Sequence, residues 1–149
     1  MSIAPAIAER YNEEIAQRFL ELGKGAAGGL PGYLGIEMVR FGPGQLWCTA
    51  QVTEELLTPF GNVHGGVLAA IIDHITGVVV YPLMKPGQWA ATTEVKLNYI
   101  APVQTGQLET ESTVLAMTKR SAVVRGEIHY NGRLACAAQG TLTIVDPKP

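Results

Sequence analysis

The chain has 149 residues and a formal net charge of −2; 16% of its residues are charged and 47% are apolar. That length suits one domain with a worthwhile core, and the charge balance excludes a polybasic face for nucleic acid or anionic membrane. Cys48 and Cys136 lack metal-ligand spacing and read as buried free thiols of a reducing compartment, and His64, His74 and His129 form no zinc pattern.

Residues 2–24 read as one amphipathic helix, opened by Ser2, with Pro5 in its first turn and a stripe of Ile7, Tyr11, Ile15, Phe19 and Leu22. The opposite face, with Glu9, Arg10, Glu13, Glu14, Arg18 and Glu21, is net acidic and favours covering the domain over binding a membrane. No basic start leads into a continuous apolar run, so a signal peptide is not expected and the cytoplasm is the expected location. GKGAAGGLPG, residues 23–32, reads as a flexible connector. Its Lys precedes the glycines and no GK[ST] follows, which argues against a phosphate loop. Residues 1–32 thus form an N-terminal segment, and 33–149 the main domain.

From Tyr33 the period changes to two, predicting strands over 34–41 and 45–53 around the turn Gly42-Pro43-Gly44. Next comes NVHGGVLAAIIDHITGVVVY, Asn62 to Tyr81. After Gly65-Gly66 it predicts a helix that is apolar nearly all round, ended by Pro82 and expected to be buried. It is too interrupted by polar residues for a membrane span. In its middle sits Asp73. A carboxylate on a helix with no solvent face must find hydrogen-bond donors, line a cavity, or hold its proton more tightly than usual. At the helix start, Gly65 and Gly66 let a ligand approach backbone N–H groups that have no intrahelical partner, an arrangement suited to a developing oxyanion. Gly65 and Asp73 are eight residues apart, roughly 12 Å along one helix. One reacting carbon cannot touch both. If they act together they come from two subunits, through a two-fold dimer that lays two copies of the helix antiparallel.

After a turn at Lys85-Pro86-Gly87, residues 94–99 alternate, with Val95, Leu97 and Tyr99 on one face. Strands over 107–117, 122–130 and 134–145 follow, with Asn131-Gly132 as a type I′ hairpin signal. The fold class is α+β: one long helix against a curved antiparallel sheet, with an extra N-terminal helix.

The element order, His64-Gly65-Gly66 with Asp73 nine residues after the His, and Thr92-Thr93-Glu94-Val95-Lys96-Leu97-Asn98-Tyr99 followed by Pro102 and Gly106 together resemble the hotdog-fold acyl-CoA thioesterases of the phenylacetate-degradation (PaaI-like) type. The resemblance spans about residues 33–145. It implies hydrolysis of an acyl-CoA thioester, with Asp73 as nucleophile or general base, the Gly65 N–H of the opposite subunit as oxyanion donor, Thr92 helping to hold the attacking water, and His64 bracing the helix start. The family pattern has Asn six residues before the His. Thr58 stands there in this chain, so either it or Asn62 supplies the carbonyl-orienting contact. Gly66, Val67, Ala70 and Ile71 would line the acyl site beside Leu57 to Phe60, which points to an aryl or medium-length acyl group. Lys119 and Arg120 would meet the phosphates of coenzyme A. No metal or other cofactor is implied, and the partners are a second copy in a homodimer, with pairing of dimers into a tetramer. A hotdog enoyl-CoA hydratase or dehydratase, or a non-catalytic acyl-CoA-binding module, is the alternative. Adjacent Asp73 and His74 point about 100° apart on a helix, which weighs against the former.

Overall fold

The computed structural model describes residues 3–24 and 28–148. Alternating side chains from Glu37 onward build a six-stranded antiparallel sheet: β1 (Glu37–Gly42), β2 (Gln45–Val52), β3 (Trp89–Tyr99), β4 (Gly106–Met117), β5 (Ser121–Tyr130) and β6 (Arg133–Val145). The spatial order is β1-β2-β4-β5-β6-β3, so the chain crosses the sheet between β2 and β3 and leaves β3 as an edge. The crossing element is α4 (Gly65–Val78), which touches β2, β3, β4, β5 and β6. This is the curved antiparallel sheet around one long helix that the sequence predicts.

α4 is rich in β-branched residues, which are mediocre helix formers, so packing holds it. Leu68, Ile71, Ile72, Ile75 and Thr76 are buried at the i, i+3, i+4, i+7, i+8 spacing of one helix face. Each large apolar side chain buried there contributes about 1.5–3 kcal/mol. Two buried hydroxyls are satisfied by helix carbonyls: Ser112 Oγ donates to Ile75 O at 2.8 Å and Thr76 Oγ1 to Ile72 O at 2.8 Å. Gly126 on β5 lets the helix come close, since a Cβ there would stand 3.0 Å from Thr76 Cγ2 and 3.2 Å from Ile72 Cδ1.

The opposite face of α4 corrects the expectation of a helix with no wet side. Gly66 and Asp73 are exposed, and Ala69, Ala70, His74 and Gly77 are half-buried. The sheet covers only one face, and apolar residues at small or flanking positions do not by themselves bury the other. The 19-residue run Gly65–Leu83 has a mean hydropathy of 1.7, enough by length and composition to cross a membrane, but half of it is buried inside this domain. The α-helix itself stops at Val78, and a 3-10 turn at Tyr81–Leu83 follows.

The single N-terminal helix expected over 2–24 is two in the described residues: α1 (Pro5–Ala8) and α2 (Glu13–Leu22). Asn12 breaks it. Its side chain caps α2 by accepting from Ile15 N at 3.1 Å, and its own N–H donates to Pro82 O at 2.8 Å, a long-range bond incompatible with a continuous helix. Ala16, outside the expected stripe, is 0% exposed, whereas Leu22 is 76% exposed. Phe19 packs on Tyr81 and Phe41. In the connector, a short helix α3 (Gly29–Tyr33) replaces part of the expected loop; Ser2 and residues 25–27 lie outside the described residues. The predicted turns are present, with Asn131 at φ 50° and Gly132 at φ 73° between β5 and β6.

The strand expected over 94–99 is longer, starting at Trp89, and carries a β-bulge: Thr92 pairs with Leu142 and Glu94 with Thr141, leaving Thr93 as the extra residue. Thr93 Oγ1 donates to Thr141 O at 3.0 Å. Gly140 makes this crowding possible, because a Cβ there would lie 2.7 Å from Val95 Cγ2 and 2.9 Å from Glu94 O.

Candidate active site

A network of backbone bonds fixes the start of α4. Thr58 N donates to Asn62 O (2.7 Å), Gly61 N to Thr58 O (3.0 Å), Val63 N to Val103 O (2.7 Å) and His64 N to Leu56 O (3.0 Å). Gly61 takes a φ of +82°, which glycine adopts without strain. His64 is the N-cap residue, and its Nδ1 accepts from Gly66 N at 3.0 Å. That bond requires the proton of a neutral ring to sit on Nε2. Tyr99 Oη, from the end of β3, donates to Gly65 O at 3.0 Å, and a Cβ on Gly65 would meet Tyr99 Cζ at 3.0 Å.

The first two N–H groups of α4 therefore differ. That of Gly66 is taken by the His64 ring; that of Gly65 has no acceptor among the described residues. Gly65 lines an open groove of about 380 Å³ with Asn62, Leu68, Tyr99, Ile100 and Val103. An unpaired N–H at the positive end of a helix, beside an apolar wall, suits an oxygen that gains negative charge during reaction.

Asn62 and Gly65 share this groove, His64 and Gly66 sit exposed at its helix start, and Thr58 lies in the loop before it, its hydroxyl accepting from Phe60 N at 3.3 Å. Val67 and Ala70 are half-buried and pack against the core. Asp73 is exposed on the open face of α4, roughly 12 Å along the helix from Gly65. Its burial, expected from the apolar sequence around it, is not observed in this chain. Thr92 is exposed on β3, seven residues from Tyr99 and so roughly 23 Å along the strand. Lys119 and Arg120, at the β4–β5 hairpin tip, line a different cavity together with Arg10 and Lys85. The single chain thus brings Gly65 together with Asn62, and leaves Asp73, Thr92 and the two cations apart from them.

Sequence reasoning places Tyr99 only on a strand face; its bond to Gly65 spans 34 residues and has no local signal. Burial pushes the pKa of His74 below its usual 6.5, with the Asp73 charge opposing, so this ring is neutral near pH 7. Among the described residues no group of three His, Cys, Asp or Glu is placed to hold a metal ion. Both cysteines are buried and free, and burial pushes the Cys48 thiol up to about 12.

A six-stranded antiparallel sheet around one long helix is the hotdog fold. The thioesterase superfamily profile matches residues 60–137, more than half of the chain, and the chain belongs to that superfamily. It is 29% identical over 115 residues to the proofreading thioesterase EntH of Cronobacter turicensis, covering 76% of this chain and 84% of that protein. It is 26% identical over 117 residues to the 1,4-dihydroxy-2-naphthoyl-CoA hydrolase of Listeria monocytogenes, covering 78% and 95%. The solved structure of a phenylacetic acid degradation-related protein from Ralstonia eutropha superposes with a TM-score of 0.80 at 26% identity, over 87% of this chain and 98% of that one.

Proposed function

We propose that the protein hydrolyses acyl-CoA thioesters at a site shared by two subunits, with Asp73 of one and the Gly65 N–H of the other acting on the same carbonyl. The observation that carries this reading is the contrast at the start of α4, where the His64 ring occupies the Gly66 N–H and the Gly65 N–H is left unpaired. The dimer is supported by two features. β3 is an 11-residue edge strand bonded to β6 on one side, and such an edge is a template for pairing. The residue midway between Gly65 and Asp73 is Ala69, on the open face, so two antiparallel copies of α4 crossing there meet at a small side chain. Dimers pair further into a tetramer.

Asp73 accepts the proton of a water as that water attacks the thioester carbon, or attacks it directly to give an anhydride that water then cleaves. The C–O bond forms, the carbonyl oxygen takes the negative charge under the Gly65 N–H, and the C–S bond breaks as the oxyanion collapses. Coenzyme A departs largely as thiolate, since a thiol pKa near 8.5 needs no strong acid. Thr92 steadies the water, and Asn62 or Thr58 orients the carbonyl. No further cofactor enters. The apolar groove wall of Leu68, Tyr99, Ile100 and Val103 supports an aryl acyl group, as does the naphthoyl substrate in the name of the Listeria relative. The reaction takes place in the cytoplasm, on a substrate free of membrane and nucleic acid.

The test is thiol release from a panel of aryl and straight-chain acyl-CoAs by wild type and by Asp73→Asn, each checked for folding and dimerisation. Turnover of an aryl-CoA by wild type and its loss in the folded dimeric variant is the expected result. An active Asp73→Asn protein sinks the assignment of the carboxylate, and a monomer with full turnover sinks the shared site.

A further inference from the structure

Two successive glycines, Gly65 and Gly66, open α4, and glycine leaves the backbone free to turn unless something outside it sets the angles. The peptide joining Gly65 to Gly66 is set from both ends. Its N–H, on Gly66, donates to His64 Nδ1 at 3.0 Å, and its carbonyl, on Gly65, accepts from Tyr99 Oη at 3.0 Å. A helix carbonyl uses one lone pair along the helix and keeps the other, so the tyrosine bond adds to the helix ladder without competing with it. A bond to the carbonyl also polarises the N–H of the same peptide, so the two side chains reinforce each other through one amide. The Gly65 N–H, on the preceding peptide, has no acceptor among the described residues. Its direction is fixed once the peptide next to it cannot turn.

Tyr99 is firmly seated. It pairs with Cys136 of β6, and cross-strand partners share a face, so its ring lies with the buried Cys136 on the helix side of the sheet. Just after β3, Ile100 N donates to Ala135 O at 2.8 Å and Ala101 N to the same oxygen at 3.2 Å, while Val103 O accepts from Val63 N at 2.7 Å. These bonds tie the end of β3 and the start of α4 into one piece. The ring also fills the space that a side chain on Gly65 would take, since a Cβ there would stand 3.0 Å from Tyr99 Cζ, 3.1 Å from Oη and 3.3 Å from Cε1. An apolar groove wall needs no hydroxyl at this place, and Leu68, Ile100 and Val103 supply one. The tyrosine oxygen is used on the backbone instead.

We infer that Tyr99 is a positioning residue of the hydrolase: acting with His64 through the peptide joining Gly65 to Gly66, it keeps the Gly65 N–H aimed at the thioester carbonyl oxygen as that oxygen gains charge. The inference rests on the acyl-CoA reading above. A donor held in place beforehand costs no reorganisation when the charge develops. The hydroxyl therefore acts on the chemical step and not on binding of the ground state.

The experiment compares wild type, Tyr99→Phe, His64→Ala and the double variant in kcat and KM for benzoyl-CoA, in urea midpoint, and in the amide resonances of protein labelled with ¹⁵N-glycine. Tyr99→Phe keeps the ring and removes one bond. Its kcat is expected to fall about five- to tenfold with KM within about twofold, as loss of one net hydrogen bond in the transition state does. The urea midpoint stays put, and the Gly66 amide proton moves upfield as its bond to His64 weakens. Because both side chains act on one peptide, the double variant loses less than the product of the two single losses. A wild-type kcat in Tyr99→Phe, whether or not KM rises, overturns the inference, as does an unmoved Gly66 resonance or a pair of losses that multiply in full. A kcat loss matched by a large fall in the urea midpoint also overturns it, since the hydroxyl is then structural. If wild type leaves benzoyl-CoA intact, the hydrolase reading fails for that substrate by itself, and the resonances alone decide the clamp: a moved Gly66 amide in Tyr99→Phe supports it, and an unmoved one overturns it.

Discussion

The two faces of α4 are both mainly apolar and have opposite fates. Toward the sheet, Leu68, Ile71, Ile72, Ile75 and Thr76 are buried and close-packed; away from it, Gly66, Ala69, Ala70, Asp73 and Gly77 are exposed or half-exposed. The buried face consists of large side chains that fix where the helix lies, and the open face of small ones plus a carboxylate. Large residues supply stability through area and packing. Small ones permit close approach by something else. The helix is therefore a scaffold on one side and, in the proposed reaction, a reactive surface on the other, and substitutions on the two faces are expected to separate stability from activity.

The largest expected effect is on the open face. Asp73→Asn lowers kcat/KM by about 10²-fold or more, as loss of a general base or nucleophile does, while moving the urea midpoint little, since exposed substitutions stay within about 0.5 kcal/mol. A large stability loss in this variant breaks the comparison. On the buried face the pattern reverses. Ile72→Ala, at a site with 0% exposure, destabilises by about 2–5 kcal/mol in urea unfolding. Gly126→Ala tests the same packing from the sheet side, because its Cβ meets Thr76 and Ile72; a loss of about 1–3 kcal/mol is expected.

His64→Ala sits where the two faces meet. It removes the Nδ1 cap from Gly66 N, costs about 1 kcal/mol in thermal or urea unfolding, and loosens the positioning of the Gly65 N–H. The smallest effect concerns His74, on the border between the faces. Burial lowers its pKa below 6.5 in the folded state, so below pH 6.5 the unfolded chain binds more protons than the native one. Stability contributed by the neutral ring is present above that pH and is lost as pH falls. Denaturation midpoints measured from pH 7.5 to 5.5 are expected to drop, and His74→Gln to flatten that drop.

Much of this is legible in the sequence because it is local. The alternation of β2 and β4 to β6, the turns at Gly44 and Gly132, and the glycine pair that opens α4 all follow from backbone preferences and from spacing within a few residues. The His64 ring at the helix start is implied by the family resemblance, and the bond it accepts from Gly66 N at 3.0 Å agrees with that. The separation of Gly65 from Asp73 is arithmetic on one helix, and that arithmetic by itself requires two subunits if both groups act on one carbonyl.

Long-range contacts decided the remainder. The break at Asn12 has a local part, the Asn side chain that caps α2 ahead of Glu13 and Glu14, and a long-range part, the bond from its N–H to Pro82 O, 70 residues later in the chain. The open face of α4 depends on a sheet that covers one side only, and composition cannot distinguish the two sides of a helix that is apolar on both. Tyr99 reaches Gly65 because β3 lies at the edge beyond β6, a placement fixed by strand order. Arg10, Lys85, Lys119 and Arg120 share a cavity because a helix end, a turn and a hairpin tip converge there. The strands, the turns and the glycine-led start of α4 are legible in the sequence, since these rest on interactions between near neighbours. Tertiary structure alone decided which faces are open and which distant charges meet, since burial and proximity are properties of the packed chain.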